Sequence, residues 1–260
     1  MVDRRWTIIT GASSGIGVEL ARLFAAEGDG LVLVARRRGR LDSLAAELKA
    51  AHSVPILVMD LDLFDESSPQ ALFDFVTGQE IEIHTLVNNA GFGLAGRFDV
   101  LPADRLTEMV RLNVEAVTTL SRLFLPGMIE RRQGGILNVA SMASFQGGPY
   151  TAVYSATKAF VLSLSEALHE EALPHGVAVS ALCPGPVATE FGKVAHLEDT
   201  MLFKRAANAA WVARVGFAGY RANKAIVIPG FFNTLGILLG RLFPRALPRK
   251  VAGRLHKLDH

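Results

Sequence analysis

Cysteine is nearly absent from this chain: Cys183 is the single one among 260 residues. No intrachain disulfide can staple the fold, and a domain of this length buries enough surface to do without one. The thiol lies in the apolar run 177–183, where a packed core residue is expected. Charge of one sign is missing too. With 27 basic and 25 acidic residues the net charge is +2, which offers nucleic acid no electrostatic footprint. No apolar run reaches the roughly 18 residues of a membrane span. The first residues lead straight into a glycine-rich turn without a secretory pattern, so a reducing, cytoplasmic setting is expected. The seven histidines show no ligand spacing apart from His256 and His260, four apart in a terminal segment, and no metal is expected. Linkers, internal repeats and low-complexity segments are lacking, which points to a single domain over residues 1–260.

What the chain does have is hydrophobicity: half of its residues are apolar, as a parallel sheet covered on both faces requires. Short β-type runs recur at Trp6–Thr10, 31–35, 55–59, 85–89, 135–140, 177–183 and 225–229. Helical patterns fill the gaps at 15–27, 40–51, 67–77, 103–132 and 152–173. This alternation predicts an α/β, doubly wound Rossmann-type fold: a seven-stranded, mostly parallel sheet with helices on both faces and its ligand beyond the C-terminal ends of the strands. Two segments break the pattern. Residues 186–221 read as short helices and loops (191–196, 201–213) without a strand, a substrate lobe inserted in the domain. Residues 230–260 form a hydrophobic, then basic, tail.

The first strand runs into Thr10-Gly11-Ala12-Ser13-Ser14-Gly15-Ile16-Gly17, which opens a helix. Gly11 permits a tight turn, Gly15 lets backbone approach a pyrophosphate, and Gly17 allows close helix–strand packing, while the helix's free N–H groups, with Ser13, Ser14 and Ile16, face the anion. The spacing Gly-x-x-x-Gly-x-Gly departs from the common Gly-x-Gly-x-x-Gly, and a tight turn without a ligand is the plain alternative. The strand–turn–helix setting in the first βαβ unit favours the phosphate cradle. The second strand ends in Ala35-Arg36-Arg37-Arg38, with no acid to hold a ribose hydroxyl. A solvated basic helix start is the alternative, yet cations there oppose the macrodipole by roughly 0.3–1 kcal/mol each. NADP(H) is therefore the expected cofactor, with Arg36 foremost and Arg37 beside it at the 2′-phosphate.

Tyr154 and Lys158 are four apart in the helical segment 152–173, on one face. A phenol near pKa 10 is a poor acid–base at neutral pH; a nearby ammonium favours phenolate, and a fall of roughly three units takes about 4 kcal/mol. Alone, Tyr-x-x-x-Lys is a weak signal. Taken with segment 10–17, Asp60-Leu61, Asn88-Asn89-Ala90-Gly91, Asn113, Ser141 and Pro184-Gly185, the chain resembles the short-chain dehydrogenase/reductase family in its ordinary form, in family order over residues 10–189.

The resemblance implies a role at each matching position. Tyr154 would protonate a carbonyl oxygen, Lys158 would hold the nicotinamide ribose and depress the tyrosine's pKa, and Ser141 would orient the substrate oxygen. Asn113, inside helix 103–132, would hold a water linking Lys158 to solvent. Asp60 and Leu61 would contact adenine; Asn88, Ala90 and Gly91 would line the cofactor floor; Pro184, Gly185, Val187 and Thr189 would lie along the nicotinamide end. Of the neighbours, Tyr150 lacks a lysine four residues on and reads as a pocket or packing residue, Ser144 as a loop hydroxyl, and Asp62 as a turn or cap residue.

The substrate side gathers Phe92, Ala143, Phe145, Tyr150 and Phe191, mostly apolar and without a cluster of Arg or Lys. This favours a small hydrophobic carbonyl or alcohol. The tail, apolar over 231–243 apart from Asn233, Thr234 and Arg241, is followed by Arg245, Arg249, Lys250, Arg254 and Lys257. Such a segment could lie on a membrane surface, but Pro244 and Pro248 interrupt a long amphipathic helix, and a cover over the substrate cleft or a subunit interface is preferred. The resemblance also suggests a homodimer or homotetramer built on 103–132 and 152–173. The expected activity is carbonyl reduction, with alcohol oxidation as its reverse. A non-catalytic NADP(H)-binding sensor or scaffold on the same fold is the alternative, since fold alone does not decide function.

Overall fold

The computed structural model describes residues 5–198, 200, 203, 206–244 and 246–255. Seven strands, β1 (Trp6–Thr10), β2 (Gly30–Ala35), β3 (Ile56–Asp60), β4 (Ile83–Asn88), β5 (Gly135–Val139), β6 (Ala178–Leu182) and β7 (Ile226–Val227), lie in the order β3-β2-β1-β4-β5-β6-β7, with every neighbouring pair parallel. Successive side chains of a strand point to opposite faces, so Ile8 and Ile9, both fully buried, feed two different cores. Ile9 joins Leu31, Leu33 and Val87 beneath α1 (Gly15–Ala26), α2 (Arg38–His52) and α8 (Ala209–Arg221). Ile8 joins Val32, Val34, Leu86 and Ile136 beneath α3 (Ser68–Gly78) and α5 (Ala116–Arg131).

From β1 the chain steps outward through β2 to β3, then returns to place β4 against the other side of β1. At this reversal the helices after β1 and β4 leave on opposite faces, and a crevice opens beyond the strands' C-terminal ends. The glycine turn after β1 and the segment after β4 meet there.

Two expectations are revised and a third holds. The helix foreseen over 103–132 is α4 (Ala103–Val110) and α5 joined by a π-helical stretch, Arg111–Glu115. The helix foreseen over 201–213 is instead α8, whose N-cap Asn208 accepts from the Trp211 amide (3.2 Å); residues 201, 202, 204 and 205 lie outside those described. The lobe foreseen without strands has none among its described residues; it holds α7 (Phe191–Val194) and an isolated bridge, Val187 to Ala207. α6 (Ala152–Ala172) runs unbroken. The tail forms two helices, α9 (Phe231–Leu242) and α10 (Ala246–Leu255). They part around Pro244, and Pro248 sits in the first turn of α10, where no amide is needed. Arg245, His256, Lys257 and His260 lie outside the described residues. No helix among those described is long and apolar enough to cross a membrane.

Candidate active site

The crevice holds a cavity of about 540 Å³, and its floor is the glycine turn. Gly11 has φ +66° and Gly15 φ +59°, a region in which a side chain would strain the backbone. Space is closed as well. A Cβ at Gly11 would lie 2.9 Å from Ala90 Cα, one at Gly15 2.8 Å from Thr189 Cγ2, and one at Gly17 2.5 Å from the Gly11 carbonyl oxygen. The turn is tied to β4 by Asn89, whose Nδ2 donates to the carbonyls of Thr10 (2.9 Å) and Gly11 (3.2 Å), and by Thr10 Oγ1, which accepts from the amides of Asn89 and Ala90 (3.0 Å each). Ser14 precedes α1 in extended conformation without capping it, and the first turn carries no acid. Its orphan N–H groups, at the cavity edge lined by Ser13, Ser14, Gly15 and Ile16, are therefore available to an anion.

The three arginines after β2 have different fates. Arg37 donates to Glu190 (2.7 Å) and Ser13 Oγ (3.0 Å), and Arg40 donates to the same Glu190 (2.6 Å). Arg38 is taken by Asp42 (2.9 Å) and Asp60 (3.3 Å). Arg36 pairs with no carboxylate among the described residues; its guanidinium lies over the Phe64 ring, 4.9 Å from the centroid, at the cavity wall. Asp60, expected at an adenine, is exposed, held by Arg38 and set back from the cavity, whereas Leu61 lines it.

The opposite wall comes from β5 and α6. Ser141, just past β5, accepts from the Ala143 amide (3.1 Å) and lines the cavity with Tyr154. Burial pushes that phenol up to about 12, nearby Cys183 adds to the rise, and the Ser141 side chain opposes it. Burial pulls Lys158 down to about 8. Its Nζ donates to the Val139 carbonyl (2.7 Å). Cys183 itself is buried, with its thiol also raised to about 12. Ser144 is no loose loop hydroxyl: it is buried and donates to the Lys158 carbonyl (2.8 Å), fixing that turn of α6.

Asn113 sits in the π-helical stretch and is fully buried behind Gly91. Its Nδ2 donates to Phe92 O (2.9 Å) and Thr157 Oγ1 (3.1 Å), and its Oδ1 accepts from Phe92 N (3.2 Å). A Cβ on Gly91 would meet Asn113 Oδ1 at 3.0 Å and Lys158 Nζ at 3.3 Å, so the absent side chain leaves both groups a shared edge.

Ala90, Gly91 and Phe92 line the cavity, as do Pro184, Gly185, Val187 and Thr189 across from them. Asn88 does not: it is buried under the sheet, donating to Ser121 Oγ (3.3 Å) and Asn138 Oδ1 (2.9 Å). On the substrate side Ala143 and Phe191 line the cavity, and the Phe191 ring packs 5.3 Å from that of Tyr154. Phe145 packs instead against the core beneath α6. Tyr150 adopts φ +65° and its carbonyl accepts from Gly96 N (2.8 Å), away from the lining. Sequence reasoning missed Phe64, Met142, Glu190 and Ala252, all cavity-lining. Asn89, between Asn88 and Ala90, had no expected role, yet its side chain secures the turn. The uncapped helix, the glycine floor that no side chain could share and the free Arg36 fit a nicotinamide dinucleotide.

The family model for short chain dehydrogenase matches residues 5–199. The very-long-chain 3-oxoacyl-CoA reductase of Phaeosphaeria nodorum is 34% identical over 234 residues, 88% of this chain and 68% of that protein. Across the curated relatives bearing that name the match spans 57% to 68% of their length. A short-chain dehydrogenase from Sphingobium yanoikuyae, solved in complex with NADPH, is 30% identical with a TM-score of 0.82, covering 98% of this chain and 97% of that one. The bulky-bulky ketone specific alcohol dehydrogenase from Comamonas testosteroni is 30% identical with a TM-score of 0.79, covering 93% and 94%.

Proposed function

The chain belongs to the short-chain dehydrogenase family of oxidoreductases, and from that premise we propose that it is an NADP(H)-dependent reductase of ketones flanked by large apolar groups. One observation carries the proposal: Ser141 and Tyr154, with Lys158 one turn along the same helix, all line the cavity whose floor is the glycine turn. The nicotinamide, when bound, supplies the hydride. Arg36 is the cation left for a 2′-phosphate, and the uncapped start of α1 would hold the pyrophosphate.

The chain's own groups handle the oxygen. Ser141 and Tyr154 converge on one point, where they hold and orient a carbonyl. With its pKa near 12, Tyr154 carries a proton throughout the neutral range and donates it to the oxygen as charge develops there. Lys158, which lines the cavity beside Gly91, would hold the nicotinamide-side ribose, while Asn113 behind it fixes Phe92 and Thr157. Phe92, Phe191, Leu197 and Met142 present an apolar wall, which favours hydrocarbon on either side of the carbonyl. The very-long-chain and bulky-bulky substrates in the relatives' names support an apolar ketone larger than the small carbonyl foreseen from the pocket residues alone.

Reduction of a panel of aryl ketones, cyclic ketones and 3-oxoacyl thioesters with NADPH, followed at the reduced nicotinamide band, tests this. Tyr154→Phe should lose turnover by about 10³-fold and keep NADPH affinity. Turnover that survives in Tyr154→Phe would refute the assignment, and tight NADPH binding without turnover on any panel member would favour a sensor or scaffold.

A further inference from the structure

Helix α9 is built inside out. On a helix of a soluble domain the apolar stripe turns to the core; on α9 the stripe Phe231, Phe232, Leu235, Leu238, Leu239 and Leu242 turns to solvent. Phe232 is 84% exposed and Leu242 78%, and none of the helix residues whose burial is described is buried. On its inner side Asn233 packs by Gly185, where an added Cβ would lie 3.2 Å from its Nδ2, and donates to the Pro229 carbonyl (2.6 Å), while a Cβ on Gly240 would reach only Pro248 of α10, at 3.8 Å. The stripe continues through Phe243 to Leu247 and Val251 on α10, where Arg249, Lys250 and Arg254 flank it, all exposed. Ala252, on the other side of α10, is buried and lines the catalytic cavity.

Charge decides what covers this face. From residue 200 to residue 258 the chain contains no Asp or Glu, although it contains many Lys and Arg. A symmetric contact with a second copy, centred on α9, would set one basic rim against another, which disfavours it. An anionic lipid surface answers both features: the acyl boundary takes the aromatic and leucine side chains, and the headgroups take the cations. At 12 residues α9 is about 18 Å long, short of the roughly 30 Å hydrocarbon core, so it lies on such a surface and does not cross it.

We propose that α9 and α10 form a docking surface for an anionic phospholipid bilayer, with the apolar stripe of α9 inserted at the headgroup boundary. Docking stands on this surface alone and does not depend on the catalytic assignment. Co-sedimentation with vesicles of phosphatidylcholine, with and without a third phosphatidylglycerol, tests it. Partition should be at least about tenfold stronger on the anionic vesicles and weaken with salt. The double variant Phe232→Ser/Leu242→Ser should lose about tenfold or more, with an unchanged melting temperature. If that variant fails to fold, the unmodified protein still decides the matter. Trp211, beside Gly230 at the start of α9, should be quenched by brominated lipid in the anionic vesicles. No partition, no preference for anionic lipid, or a dimer that the double variant turns into monomers would each overturn the proposal.

Discussion

Replacing Arg36 should separate the two nicotinamide coenzymes by a calculable amount. The guanidinium has no carboxylate partner among the described residues and is held over Phe64 at 4.9 Å, so little has to be broken before it meets a phosphate. A charge-assisted hydrogen bond of this kind contributes about 1.5–3 kcal/mol, or roughly ten- to 150-fold in affinity. Arg36→Ala should weaken NADPH by that factor and leave NADH within about threefold, while Arg36→Asp, which adds repulsion, should exceed a hundredfold. Phe64→Leu removes the cation–π contact, about 0.5–1 kcal/mol at an exposed site, together with the edge contact to Phe92, and should cost NADPH about two- to fivefold. Arg37→Ala is the contrast. Its side chain spans Ser13 and Glu190, so its loss should disturb both coenzymes alike. Titration calorimetry with each coenzyme measures all four variants without any substrate. An Arg36→Ala protein that loses NADPH and NADH equally, or neither, refutes the assignment.

Three further outcomes follow from the same geometry. With Tyr154 near 12, ketone reduction should stay level through neutral pH while alcohol oxidation, which needs the phenolate, climbs as pH rises; a kcat profile that falls with pH in the oxidative direction would contradict this. Gly17→Ala drives a Cβ to 2.5 Å from a backbone oxygen, a clash worth about 1–3 kcal/mol, and should lower the melting temperature by roughly 3–10 °C; an unchanged melt would mean that the turn yields. Burial and the nearby Arg5, Arg221 and Arg131 depress His84 from 6.5 to about 4. The unfolded chain therefore binds a proton that the native state refuses, and stability drops as pH falls from about 6.5 to about 4. The loss is about 2 kcal/mol once partial exposure is allowed for. Urea melts at pH 7 and pH 4.5 should show it, and His84→Gln should flatten the difference.

The alternation of strands and helices was legible because a parallel sheet buried on both faces leaves unbroken apolar runs such as Leu31, Val32, Leu33 and Val34. α8 was misplaced for a physical reason. Gly216 and Gly219 sit on its buried face, where a Cβ would come within 2.6 Å of Leu182 and 2.3 Å of Val227. Glycines chosen for close approach erase the apolar stripe that marks a helix. The glycine turn and the Tyr154–Lys158 pair were legible because their spacing is local, whereas Ser141 rested on the family resemblance. Glu190 was not: it reaches Arg37 across 153 positions of sequence, and nothing beside it in the chain marks it as a partner.

Asn113 shows where local pattern stops. A π-helical turn changes the hydrogen-bond register without any residue type that encodes it, so an asparagine in an amphipathic stretch reads as an ordinary helical position. Here the wider turn, Arg111–Glu115, places a buried amide in the helix interior, where it would be costly if unpaired. The three contacts to Phe92 and Thr157 satisfy it, and in doing so they pin the segment after β4 to α6. The same logic sorts the arginines. Arg36, Arg37 and Arg38 are equal in sequence, and only the placement of Glu190, Asp42 and Asp60 neutralises two of them and leaves the third facing the cavity. Cofactor choice therefore depends as much on where those carboxylates lie as on the arginine itself.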